Sequence, residues 1–378
     1  MFEVDDDSPL TPTAGPRHEE KETSQDERNS GMDSFEEATE AVESVLESFL
    51  SSKYDHAMEQ GLPGEVTQII AELIGSGGKR LRPLYCTAGW QAAGGRGLPM
   101  PVIRTAAALE MFHTFALIHD DVMDDSAMRR GLPTAHHLLA ARLQARNGGA
   151  PEPALGKTTA ILLGDLALSW SDELLHTAGL DSDLLHRVLS AIDTMRTELM
   201  YGQYLDLIAT GRPTADMAQA MTIARLKTAK YTVERPLHIG AIMAGAHDKQ
   251  LAILSEYAVP LGEAFQLRDD LLGVFGHPQE TGKDRGDDLR AAKHTTLVAL
   301  ALERAGPAQH TILHDTFGRL DLTEADVRQI QGLLTTLGVR DTVEQLIVER
   351  YRRALRALDG LPPPGAELLS ALARMTLR

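Results

Sequence analysis

The chain has 378 residues, of which 43% are hydrophobic and 24% charged, a composition that excludes a mainly disordered or collagen-like protein. Aromatic residues make up only 4%, so the core must rest on Leu, Ala, Ile, Val and Met, which favour helix. The formal net charge of −17 argues against nucleic acid or an anionic lipid surface as a partner.

Residues 1–34 hold ten acidic and three basic residues and almost no periodic apolar ones, so a disordered acidic tail is expected there. Order is expected from near Ser34, where Phe35, Ala38, Val42, Val45, Leu46, Phe49 and Leu50 recur at helical spacing. Helical patterns follow near 64–75, 80–93, 102–125, 158–178, 184–208, 216–229, 248–275, 295–304, 323–336 and 341–358, separated by Gly/Pro punctuation. No alternating strand pattern, repeat or interior linker interrupts them, so 35–378 reads as one all-α domain with 102–119 and 237–246 buried at its centre. No stretch reaches the roughly 18 apolar residues of a membrane span. The start, Met-Phe-Glu-Val-Asp-Asp-Asp, is acidic where a secretory signal is basic. Cys86 stands alone, which excludes an internal disulfide and fits a reducing cytoplasm.

Three clusters carry chemistry. Gly77-Gly78-Lys79-Arg80-Leu81-Arg82-Pro83 puts three cations behind two glycines, an anion site in so acidic a chain. It is not a Walker loop, because Arg80 follows Lys79 and Leu73 stands where the first Gly belongs. Asp120-Asp121-Val122-Met123-Asp124-Asp125 closes the apolar run from Thr105 to Ile118. On a helix Asp120 and Asp124 would share one face, and Asp121 and Asp125 another; such like charges destabilise a helix unless a cation offsets them. Carboxylates that leave room for water and phosphate suit Mg²⁺. Asp269-Asp270 ends a second apolar helix and could face the first cluster across a bundle. Two metal-holding clusters and a basic one point to two anionic substrates, with apolar helices enclosing a hydrocarbon tail.

The chain resembles the trans-isoprenyl diphosphate synthases of the polyprenyl synthetase family. The resemblance runs from about Leu46 onward through ordered signatures: Gly77–Pro83, Glu110 to His113, His119 to Asp125, Arg129 to Thr134, Gly202-Gln203 with Asp206, Lys227-Thr228, Phe265 to Asp270, and Gly282-Lys283 with Asp287-Asp288-Leu289, Lys293 and Thr295. It implies an all-α bundle around a deep central cavity and a homodimer. It implies that Asp120, Asp121, Asp124, Asp269 and Asp270 bind three Mg²⁺ bridging an allylic diphosphate. Arg129, Lys227 and Lys283 would contact that diphosphate, and Lys293 would join the substrate-binding set. Lys79, Arg82, His113 and Arg130 would hold isopentenyl diphosphate, and Thr228 and Gln266 would line the reacting pocket. The pattern departs in three places: Gly273 stands where a third Asp is common, Leu132 replaces an Arg, and Ala292 replaces a Gly.

The implied reaction is a head-to-tail condensation of isopentenyl diphosphate with dimethylallyl, geranyl or farnesyl diphosphate. The loop at 276–294 is a candidate lid. Phe112, Phe115 and Ala116 precede Asp120 on one helix, with Phe115 about 7.5 Å and Phe112 about 12 Å below it along the axis. In this family a bulky residue at Phe115 limits growth, so geranylgeranyl diphosphate is the expected product, with farnesyl and geranylfarnesyl diphosphate as alternatives. Phe112 and Phe115 as ordinary core is the plain alternative. Two other readings stay open. A class I terpene cyclase would need a second metal motif that is not found, and a regulatory prenyltransferase subunit would usually lose one of the aspartate motifs.

Overall fold

The computed structural model describes residues 19–147, 152–276, 286–319 and 321–377. Apart from one two-residue hairpin, their regular structure is helical. The first helix, α1 (Glu19–Glu59), starts well before Ser34. Between Pro16 and Gly31 the chain has neither Pro nor Gly to stop a helix, and α1 runs on into the Phe35–Leu50 pattern. Residues 1–18 lie outside the described residues.

Next come α2 (Glu65–Gly75), α3 (Leu81–Ala92) and α4 (Met100–Met123). Helix α4 is apolar on nearly all sides and is buried along most of its length, from Val102 to Asp121. It ends at Met123, because Asp125 turns into the left-handed region at φ +52°. Asp121 and Asp125 therefore do not share a helix face, which corrects that part of the sequence reading. The hairpin β1 (Met128–Arg129) and β2 (Leu132–Pro133) follows, pairing Arg129 with Leu132. Then come α5 (Ala135–Asn147), α6 (Pro153–His176) and α7 (Ser182–Ala209).

One continuous rod spans α8 (Met217–Ala224), a π-helical stretch (Arg225–Glu234) and α9 (Arg235–Met243). All of α9 from Pro236 to Met243 is buried, as the apolar run predicts. Gly89 on α3 and Gly240 on α9 let those two backbones touch, since a Cβ on either would collide with a carbonyl of the other helix. Helix α10 (Asp248–Phe275) packs on the π stretch. The rest is α11 (Asp287–Arg290), α12 (Thr296–Arg304), α13 (Pro307–Thr316), α14 (Glu324–Thr336), α15 (Val339–Ala357) and α16 (Pro363–Thr376). Helices α5, α13 and α16 were not anticipated from periodicity.

The core forms three apolar clusters. The largest surrounds α4 and joins it to α1, α6 and α7. A second lies between α3, α9, α10 and α16, and a third gathers α10 with α12, α14 and α15. Cys86 is fully buried in the first. No described helix is long and apolar enough to cross a membrane.

Candidate active site

The apolar helix α4 carries Asp120 and Asp121 to its last turn, beside α7 and the π stretch. Lys227 reaches from the π stretch to Asp120 Oδ1 (3.1 Å) and to Asp206 Oδ2 on α7 (2.7 Å). Gln203, one turn earlier on α7, donates to Asp120 Oδ1 at 3.1 Å. Arg129, set by the hairpin, donates from Nε to both oxygens of Asp121 (2.9 and 3.0 Å) and lies 3.3 Å from Asp120 Oδ2. Burial alone would raise the Asp120 pKa, but Lys227, Arg129 and Lys293 outweigh it and hold the carboxyl below its usual range. Burial wins at Asp121 and at Asp124, whose pKa values are raised. Asp125 stands apart, exposed and paired with Lys157 at 2.7 Å.

The second cluster faces the first. Asp270, at the end of α10, is buried while Asp269 is exposed. Burial, and then the Asp288 carboxylate, push Asp270 up to about 8. Gln266 donates to Asp270 Oδ1 at 2.7 Å and accepts from the Thr228 hydroxyl. Lys293 joins the two clusters, 3.4 Å from Asp124 Oδ2 and 3.9 Å from Asp288 Oδ1. Burial would lower the Lys293 pKa, but Asp288, Asp124, Asp206 and Asp120 raise it. Lys283 lies outside the described residues, as do residues 277–285 of the candidate lid.

The basic cluster lies beside the first carboxylate cluster, where Arg80, His113 and Arg130 line one pocket with Asp121 and Arg129. Gly77, Gly78 and Arg80 all have positive φ, at +90°, +129° and +48°. A Cβ on Gly78 would lie 2.6 Å from Arg130 Nη2. Arg130, itself left-handed at the hairpin turn, folds over this loop and donates to the Gly77 carbonyl. Arg82 donates to Thr232 Oγ1 (2.7 Å) and stacks on Tyr231 with its guanidinium carbon 4.2 Å from the ring centroid. The Tyr231 hydroxyl lies 3.2 Å from His113 Nδ1. Lys79 Nζ reaches the Thr376 carbonyl at the end of α16, 3.4 Å away. Burial, then the guanidinium groups of Arg82, Arg130, Arg129 and Arg80, hold His113 neutral, well below its usual pKa.

Sequence reasoning missed the support behind this loop. Arg80 is buried and binds Glu110 Oε1 (2.8 Å), Glu43 Oε1 (3.1 Å) and the Ile74 carbonyl (2.6 Å). It fixes the strained turn so that Lys79 and Arg82 leave the loop on either side of it. The three-cation run and the Glu110 signature were visible, but not their pairing. Asp206, Gln203 and Asp288 stood in the signatures without a stated role; the structure puts all three in the charge network.

Phe112 and Phe115 are buried, with ring centroids 5.2 Å apart, and Ala116 is half-buried beside them. Leu132 is exposed on β2, so the Arg it replaces would have no buried partner to lose. Ala292 takes φ +46°, the left-handed conformation that favours the Gly it replaces.

No group of three or more His, Cys, Asp or Glu among the described residues could hold a metal by itself. The donor set still fits Mg²⁺, which is usually bound through one or two carboxylates, substrate phosphates and waters. The ammonium and guanidinium groups that converge on Asp120, Asp121 and Asp124 supply the positive charge these carboxylates require.

An all-α bundle whose facing helix ends carry two linked carboxylate clusters, with a cation cluster behind one of them, defines an isoprenoid-synthase-type protein. Residues 63–334 match the family model described as polyprenyl synthetase, and the chain belongs to that family. A geranylgeranyl pyrophosphate synthase from Corynebacterium glutamicum, solved with isoprenyl diphosphate and magnesium, is 37% identical with a TM-score of 0.85, over 90% of this chain and 98% of that one. The geranylfarnesyl diphosphate synthase of Aeropyrum pernix is 31% identical over 82% of this chain and 93% of its own length. The geranylgeranyl diphosphate synthase of Methanosarcina mazei is 31% identical over 82% and 90%.

Proposed function

We propose that the protein condenses isopentenyl diphosphate head-to-tail with an allylic diphosphate (dimethylallyl, geranyl or farnesyl), giving a short all-trans prenyl diphosphate, with geranylgeranyl diphosphate as the main product. The observation that carries this reading is the link through Lys293 between the Asp124 and Asp288 carboxylates, with a separate Lys79/Arg82/His113/Arg130 cluster drawn from the turn before α3, α3, α4 and the hairpin. One diphosphate then binds at the carboxylates and the other at the cations.

Asp120, Asp121, Asp124, Asp269 and Asp270 would hold Mg²⁺, three ions in all, which when bound supplies Lewis-acid help to the departing diphosphate. Arg129 and Lys227 exchange their carboxylate partners for diphosphate oxygens, and Lys283 and Lys293 add charge from the opposite side. The allylic C–O bond breaks and its electron pair leaves with the diphosphate. The double bond of isopentenyl diphosphate, anchored by Lys79, Arg82 and Arg130, attacks the allylic carbon. The resulting cation loses a proton to the released diphosphate. Thr228 and Gln266, hydrogen-bonded to each other, line this pocket, and the apolar walls exclude the water that would quench the cation. Neutral His113 can donate a hydrogen bond without adding charge beside the reacting carbon.

The protein is proposed to be a cytoplasmic homodimer. Ile161 and Leu162 on α6 and Tyr201, Tyr204 and Ile208 on α7 are exposed on adjacent helices and offer an apolar face for a second copy. Transfer of labelled isopentenyl diphosphate into an acid-labile product, dependent on Mg²⁺ and on an allylic starter, tests the assignment. Label incorporated with no starter or no metal would contradict it.

A further inference from the structure

Phe112 is wedged in a column of rings and cations. Its ring centroid lies 5.9 Å from that of Tyr231 and 5.2 Å from that of Phe115. The guanidinium carbon of Arg196, on α7, lies 5.1 Å from the same ring. Asp172 on α6 holds Arg196 Nη2 at 2.5 Å. Arg196 Nε is buried with no acceptor among the described residues, a cost that a surface ion pair would not carry.

The depth of this contact follows from helix geometry. Gln203 and Asp120 are bonded to each other at the reacting end. Arg196 is seven residues before Gln203 on α7, about 10.5 Å away along the axis, and Phe112 is eight residues before Asp120 on α4, about 12 Å. Both therefore lie at the level that a growing hydrocarbon reaches after passing Phe115. For the chain to go deeper, the Phe112 ring must swing aside, and the space behind it is filled by a cation that Asp172 fixes in place.

We propose that Arg196, clamped by Asp172, is a specificity-determining residue that sets product length by pinning Phe112. The inference rests on the elongation reading above. Arg196 acts through Phe112 and does not touch the reacting atoms, so it is a positioning residue. A hydrocarbon tail cannot replace Phe112 at this place without stripping partners from a guanidinium group, which is unfavourable.

The test is chain-length analysis of the products of wild type, Arg196→Ala, Arg196→Lys and Asp172→Asn, with the rate of the first condensation measured alongside. Arg196→Ala is expected to raise the fraction of product one isoprene unit longer by about fivefold to tenfold, the scale set by losing a cation–π contact. Asp172→Asn shifts it the same way but less, Arg196→Lys stays near wild type, and the first condensation is unchanged in all three. Condensation with an unchanged product distribution in Arg196→Ala would overturn this inference alone. Absence of any condensation in wild type would overturn the elongation reading and this inference with it. Should Arg196→Ala not fold, the Asp172→Asn distribution decides the matter by the same criterion.

Discussion

The carboxylate of Asp288 occupies the space that a side chain at Gly273 would need. An added Cβ at position 273 would run into Asp288 Oδ2 and lie 3.2 Å from its Cγ. The third carboxylate missing from the end of α10 is thus replaced in space by one from α11, which faces Asp270 and Lys293. Gly273→Ala should push Asp288 out of the cluster and lower kcat about 10- to 100-fold, the usual cost of disturbing a supporting partner of a metal site. Asp288→Asn should act in the same direction. Steady-state kinetics with a thermal melt checks this; full activity in Gly273→Ala would show that the position of Asp288 is immaterial.

Asp120 gathers Lys227, Gln203 and Arg129 at one carboxylate. Asp120→Ala should reduce turnover by about 10²- to 10³-fold, the scale of losing one preorganised electrostatic contact. Asp269 is exposed and unburdened by packing, so Asp269→Ala should lose activity with an unchanged melting temperature. Wild-type turnover in either variant would remove the aspartate clusters from the mechanism.

His113, His136 and His238 all have pKa values lowered by burial, with Arg82 next at His113 and His137 next at His136. The folded protein therefore binds fewer protons here than the unfolded chain, whose histidines titrate near 6.5. Stability from this source is complete above that pH and declines as the pH falls towards the folded values. Histidine NMR resonances followed against pH, with His113→Gln for assignment, should show the His113 ring still neutral well below 6.5. A midpoint near 6.5 would place His113 in solvent and take away its neutral role.

The Cys86 thiol is fully buried on α3, and burial pushes it up to about 12. A thiol-reactive disulfide reagent should leave the native protein unlabelled and modify one group per chain after denaturation. Rapid labelling of the native state would mean that the α3–α9 contact opens readily.

Much of this was legible in the sequence because its cause is local. Asp120 and Asp270 both end long apolar runs, and Gly/Pro punctuation marks most of the helices between them. The Phe112–Phe115 pair could be placed by helical rise alone. Long-range pairing was not legible. Arg80 with Glu110, Lys293 with Asp124 and Arg196 with Asp172 join residues tens to hundreds of positions apart, and no spacing rule connects them. Asp125 was misplaced because periodicity carries a helix onward past a residue that adopts positive φ. Helices α5, α13 and α16 escaped notice for other reasons: α5 has a weakly amphipathic sequence, and α13 and α16 begin at Pro307 and Pro363, prolines that mark helix starts as readily as breaks.

The most direct test of the central claim is mass analysis of the dephosphorylated products formed from isopentenyl diphosphate, each allylic starter and Mg²⁺. All starters are expected to converge on geranylgeraniol as the dominant alcohol. A cyclic hydrocarbon formed from an allylic diphosphate alone, or no condensation by protein shown to be folded, would contradict it.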